Sequence, residues 1–110
     1  MDPRKRIFQI QNASNIEEIA DCLRGKTNPL YLPHYKSSVF AACSLAFKMG
    51  ATWIGIIGLD LTGHPSLEKY ADKLNERFLW LGEAMDSLGV QLVNLSQQSM
   101  ITTLPHEDLP

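Results

Sequence analysis

The chain has 110 residues, of which 45% are apolar and 20% charged, and its formal net charge is -2. That length fits one domain over residues 1–110, with enough chain for a core and little surplus stability. The acidic balance argues against a nucleic-acid binder, which would show a basic face, and no apolar run reaches the roughly 18 residues of a membrane-spanning helix.

Met1-Asp2-Pro3-Arg4 leads into a strand-like segment and lacks the apolar stretch of a signal peptide. The basic cluster Arg4-Lys5-Arg6 reads as a solvated end. Arg6 to Gln11 alternates apolar and polar residues and predicts a first strand. Ser14 with Glu17 forms a capping-box pattern, which satisfies the first free amides of a helix. Ile16, Ile19, Ala20 and Leu23 follow at helical spacing, and Gly25 supplies the stop. Leu30-Tyr31-Leu32 predicts a short second strand ended by Pro33.

A second helix is expected from Ser37 or Ser38 to Gly50. Its apolar residues, among them Val39, Phe40, Ala42, Leu45, Phe47 and Met49, cover nearly every side, which predicts a buried helix. Thr52 to Leu59 has no alternation, the pattern of a parallel strand covered on both faces. The third helix is expected after the N-cap Ser66. Leu67, Ala71, Leu74, Phe78, Leu81, Met85 and Leu88 form its heptad-like seam, with Tyr70 and Trp80 to the side, and Gly89 stops it. Val90 to Leu95 is the fourth strand; the tail to Pro105 reads as irregular and the last residues as solvated.

Strand–helix alternation with short links predicts an α/β fold: a small three-layer Rossmann-like domain with a mostly parallel four-stranded sheet, three helices and right-handed crossovers. Cys22 and Cys43 lie in helical patterns and read as small buried hydrophobes in a reducing, cytoplasmic compartment. With no C-x-x-C and scattered histidines, no metal site is expected.

Ligands of open parallel sheets bind beyond the carboxyl ends of the strands, where helix N-termini favour anions. Polar residues collect at those ends here: Asn12 and Ser14; His34, Lys36, Ser37 and Ser38; Asp60, Thr62 and His64; Asn94 and Ser96. Ser14, Ser37 and Ser66 are also explained as helix caps, and Asn94 as a residue that bonds backbone at a strand end. Asp60 is the sharpest candidate, because a carboxylate directly after a covered apolar strand is costly to bury alone. His64, four residues on, could pair with it or act as an acid or base. The glycine-rich dinucleotide and P-loop motifs, the G-x-S-x-G elbow and H-E-x-x-H are all absent. No pattern names a cofactor.

From Ser37 to Leu104 the chain resembles the C-terminal half of a Rossmann-like bacterial and phage family. That family includes motility accessory factors and hydroxymethylpterin pyrophosphokinase-like proteins, and bacterial sialyltransferases are similar. The matching pieces are Ser37-Ser38 opening an alanine-rich helix, Lys48-Met49-Gly50-Ala51, Ile56 to Leu61 with Asp60, the downstream His64, Gly89-Val90, and Val93-Asn94-Leu95-Ser96 with Ser99. The resemblance implies that Ser38, Asp60, His64, Asn94 and Ser96 face the ligand edge, and that the ligand is a phosphorylated small molecule or nucleotide sugar. Ser38 stands where the family has glycine, and residues 1–36 lack its N-terminal half with the glycine-rich phosphate turn. The expectation is a fragment of a longer protein or a shortened relative without catalysis. The second hypothesis is an interaction or oligomerisation module that uses the long apolar seam. The sequence leaves open whether the chain is an enzyme.

Overall fold

The computed structural model describes residues 8–26, 28–34, 37–58, 70–96 and 99–108. In chain order these form β1 (Gln9–Asn12), α1 (Ile16–Leu23), β2 (Tyr31–His34), α2 (Ser38–Lys48), β3 (Trp53–Ile56), α3 (Ala71–Ser87) and β4 (Gln91–Asn94). The element types and their order follow the sequence reading.

Both strand pairings are parallel. β1 pairs with β2 from Gln9↔Tyr31 to Asn12↔His34, and β3 pairs with β4 from Trp53↔Gln91 to Ile56↔Asn94. Each pair is therefore a strand–helix–strand unit, crossed by α1 and α3 respectively. The single four-stranded sheet is not formed among the described residues: there are two two-stranded sheets. The main chain of β2 explains part of this. Alternate residues of a parallel strand turn their main-chain groups to opposite neighbours. Gln9 N–H donates to the Leu30 carbonyl, which sets Tyr31 and Pro33 facing away from β1. On that outer edge, Tyr31 N–H is taken by the Asn28 carbonyl at 3.1 Å, and Pro33 has no N–H. The Pro33 carbonyl accepts from Ser44 Oγ at 3.1 Å. Little remains there for a third strand.

One hydrophobic cluster joins the elements. Ile19 and Leu23 of α1, Phe40 and Cys43 of α2, Ile54 and Ile56 of β3, the α3 stripe and Leu92 of β4 all belong to it. α1 packs along α3, and α2 touches both β2 and β3. The α3 seam lies where the heptad pattern puts it. Phe78, Leu81 and Met85 are fully buried and Leu88 partly so; Leu67 lies outside the described residues. Burying three such side chains contributes about 1.5–3 kcal/mol each. Phe78 meets Phe40 with ring centroids 5.5 Å apart, tying α3 to α2.

α2 is less enclosed than its composition suggests. Phe40, Cys43 and Ser44 are buried, while Ala42 is exposed and Met49, its C-cap, is 77% exposed. With the strands in two pairs, no continuous sheet covers this helix. Gly50 and Gly89 hold φ of 96° and 82° just past α2 and α3, a conformation that ends a helix at little cost only for glycine. The α1 cap sits one residue later than the Ser14–Glu17 pattern predicts. Asn15 is the N-cap and its Oδ1 accepts from Glu18 N–H at 2.8 Å; Glu18 Oε2 accepts from Ser14 N–H at 2.7 Å. The logic is that of the capping box, moved by one position.

Candidate functional site

Ser37, Ser38, Asn94 and Ser96 follow or end β2 and β4, with different local roles. Asp60 and His64 lie outside the described residues. Ser37 is the N-cap of α2, with extended backbone at φ -148° and ψ 125°, yet its side chain makes no capping hydrogen bond. Among the described residues the first-turn amides of α2 thus have no side-chain cap, and the helix carries no acidic residue in that turn. Ser38 is the first helical residue and is exposed. This is the electrostatic arrangement in which a helix start favours an anion.

Asn94 ends β4 and is 1% exposed. Its Nδ2 donates to the Ile101 carbonyl at 3.1 Å and to Ser99 Oγ at 3.2 Å, and its Oδ1 accepts from Ser96 N–H at 3.0 Å. Both amide hydrogens thus have partners within the chain. Asn94 holds the loop that turns back from β4, which is the backbone-bonding role its position at a strand end allows. Ser96 is buried in the same loop, and its carbonyl is 2.8 Å from His106 Nε2, which donates there. Among the described residues no hydrogen bond links Ser37 or Ser38 to this loop.

Several polar residues that sequence reasoning passed over organise the same region. Asn75 of α3 donates from Nδ2 to the Met100 carbonyl at 2.7 Å, accepts from Thr102 N–H at 2.7 Å, and offers its carbonyl to Thr103 Oγ1 at 2.6 Å. His106 forms a parallel bridge with Asn94, fixed by Asn94 N–H to the Pro105 carbonyl at 2.8 Å and Glu107 N–H to the Asn94 carbonyl at 3.1 Å. The tail expected to be irregular therefore flanks β4 on the side away from β3. Ser44, wholly buried in α2, lies within 3.1 Å of the Pro33 and Phe40 carbonyls. None of these carries a motif; each is a single polar residue in a helix or tail, and only the folded chain brings its partner within reach.

Both cysteines are free thiols and buried. Burial pushes the Cys43 thiol up to about 12. Cys22 is also raised by burial, an effect opposed by Lys48. Lys48 Nζ donates to the Cys22 carbonyl at 2.7 Å, and its own pKa is lowered by burial more than the thiol raises it. A raised thiol pKa means little thiolate, so this environment does not activate a nucleophile. Arg77 lies 4.3 Å from the Trp80 ring centre and donates from Nη1 to the Ala13 carbonyl at 3.4 Å, which ties α3 to the end of β1. Among the described residues no group of three or more His, Cys, Asp or Glu is placed to hold a metal, and no helix is long and apolar enough to cross a membrane. A scan against protein-family models and searches of curated proteins and of solved structures return no significant match to this chain.

Proposed function

We propose that the chain is a small three-layer Rossmann-like domain, one unit over residues 1–110, that binds a phosphorylated or nucleotide-activated ligand beyond the carboxyl ends of its strands. The observation that carries this reading is the start of α2. It follows β2 of a parallel pair, its N-cap Ser37 makes no side-chain cap, and among the described residues no other side chain caps that turn and no carboxylate occupies it. Such a helix start takes a phosphate oxygen in place of a cap. In this reading Asp60 and His64 meet the ligand, with Asp60 accepting from its hydroxyl groups and His64 able to move a proton. Ser37 and Ser38 hold the phosphate, and Asn94 stiffens the loop that carries Ser96 as a wall of the site. The transferase resemblance describes ancestry, and no catalytic step is assigned.

The test is a thermal-shift series on the whole chain with nucleoside diphosphates, nucleotide sugars and pterin phosphates, repeated with Asp60→Ala. A ligand at about 100 times its dissociation constant adds roughly 2.7 kcal/mol, a rise of several degrees in a domain of this size. A shift present in the wild type and lost in the variant supports the site. No shift with any of these ligands overturns it.

The second reading, a protein-interaction or oligomerisation module, has its own support. All four residues of β1 are exposed, with Ile10 at 60%, and Ile57 and Trp53 are 67% and 47% exposed. A concentration-independent monomer in sedimentation would sink the homo-oligomer form of this reading.

A further inference from the structure

A half-open groove of about 430 Å³ runs between α3, β4 and the tail, away from the α2 start. That volume falls within the range of ligand-binding clefts, about 300–1,000 Å³. Leu79 and Gly82 form its helical wall, and Leu104 and Pro105 form the opposite one. Gly82 sets the depth: a Cβ there would come within 2.9 Å of Leu104 Cδ2.

The floor is an open sheet edge. Gln91 N–H and Leu95 N–H donate to the Thr52 and Ile56 carbonyls, so Gln91 of β4 and Leu95 just beyond it face β3. Asn94 faces the other way and bonds the tail through Pro105 and Glu107. Leu92 turns its main chain to the same side as Asn94. Continued pairing would need Pro105 to donate to the Leu92 carbonyl, and proline has no N–H. It would also need the Thr103 carbonyl beside Leu92 N–H, while Thr102 and Thr103 are held toward α3 by Asn75. Among the described residues, neither main-chain group of Leu92 has a backbone partner outside the β3–β4 ladder, although Leu92 is only 3% exposed. Buried main-chain groups are nearly always paired. The groove thus offers a donor and an acceptor to an extended chain, the basis of recognition by strand addition.

Charge selects the occupant. Glu83, Asp86 and Glu107 line the groove, and no Lys, Arg or His is among its described lining residues. None of the three acids has an ion pair among the described residues. We propose that this groove docks an extended segment of a partner protein with alternating apolar and basic side chains. The segment pairs its backbone with Leu92, seats its apolar side chains between Leu79 and Leu104, and directs Lys or Arg to Glu83, Asp86 and Glu107. This proposal is independent of the ligand reading above.

The experiment is an NMR titration of the ¹⁵N-labelled full chain with capped peptides of the form Lys-X-Lys-X-Lys-X-Lys, where X is Val, Ile, Leu or Phe. The expected result is saturable binding, with the Leu92 amide shifting most and becoming protected from hydrogen exchange. The double variant Glu83→Lys, Asp86→Lys should weaken binding at least tenfold, while Glu17→Lys on α1 should leave it unchanged. The same peptides with Glu for Lys should not bind. A Leu92 amide already protected in the unliganded chain overturns the proposal, because the edge is then closed. So do shifts centred elsewhere, equal affinity after charge reversal, or no binding by any of the peptides. Concentration-dependent shifts of these residues without peptide would assign the edge to a second copy instead.

Discussion

Replacing Asn94 with alanine separates a loop organiser from a ligand contact. The side chain is buried, and it satisfies the Ile101 carbonyl and the Ser96 N–H, both in residues only 3% exposed. Alanine removes both bonds and leaves those two groups without their partner. A buried group left unsatisfied costs about 1–3 kcal/mol, so with two such groups the variant should lose about 2–6 kcal/mol. That is a large part of the roughly 5–15 kcal/mol that holds an ordinary domain folded. At about 4–8 °C per kcal/mol for a domain near this size, the melting midpoint should drop by at least about 8 °C. Urea unfolding followed by circular dichroism gives the free energy directly. Asn94→Asp keeps the acceptor for Ser96 N–H, loses the donors and buries a charge. Burial raises the pKa of such a carboxyl, so its stability should be greatest at low pH and fall as pH rises and the group is forced to ionise. The reasoning fails if Asn94→Ala unfolds within about 0.5 kcal/mol of wild type. Loss of ligand binding without loss of stability would make Asn94 a contact residue after all.

Two further outcomes follow from close packing and from burial. A Cβ at Gly55 would lie 2.6 Å from Leu95 Cδ1 and 2.7 Å from Trp53 Cη2; Gly55→Ala should therefore cost about 1–3 kcal/mol as overpacking, with Trp53 swinging into water and its emission moving to the red in a Trp80→Phe background. Cys43 has an ordinary value of 9.0 and a folded value of about 12, so its thiol should resist a disulfide reagent at pH 8 until urea unfolds the chain. Because the folded pKa is the higher one, the Cys43 contribution to stability is complete below pH 9.0 and is lost as pH rises toward about 12; unfolding of Cys43→Ala at pH 8 and at pH 11 should show a smaller drop with pH than wild type.

Much of the fold was legible because helices and covered strands write their burial into local spacing. The seam from Ala71 to Met85 alternates steps of three and four, and α3 buries all of those residues, with Ala84 beside them. Strand–helix–strand order predicted parallel pairing, and both pairs are parallel. The number of strands in one sheet was not legible, since that depends on which edges remain open. Pro33 is the instructive case. It reads as the end of a strand, yet it lies inside β2, where its missing N–H faces outward and its carbonyl is taken by Ser44. The α2 composition misled for the same reason: an apolar surface all round implies cover all round only when a continuous sheet lies beside it.

The candidate site was less legible, because spacing reports which residues reach a strand end and says nothing of what they bond there. Asn94, Ser96 and Ser99 stand close together in sequence and suggest a shared ligand. In the fold their amide, carbonyl and hydroxyl groups close on the returning tail, on Ile101 and His106, which no short motif connects to β4. The consequence is an asymmetry between the two strand pairs. At the end of β4 the polar groups are turned inward and stiffen a loop. At the start of α2, among the described residues, the helix amides have neither a side-chain cap nor a first-turn carboxylate. In the proposed site an anion would therefore meet its donors after β2, with the polar loop after β4 as a fixed wall. On this argument Ser37→Asp, which places a capping carboxylate at the α2 start, should stabilise the chain by about 0.5–1 kcal/mol and weaken any phosphate ligand at once. A variant that gains stability while keeping full affinity would place the ligand elsewhere.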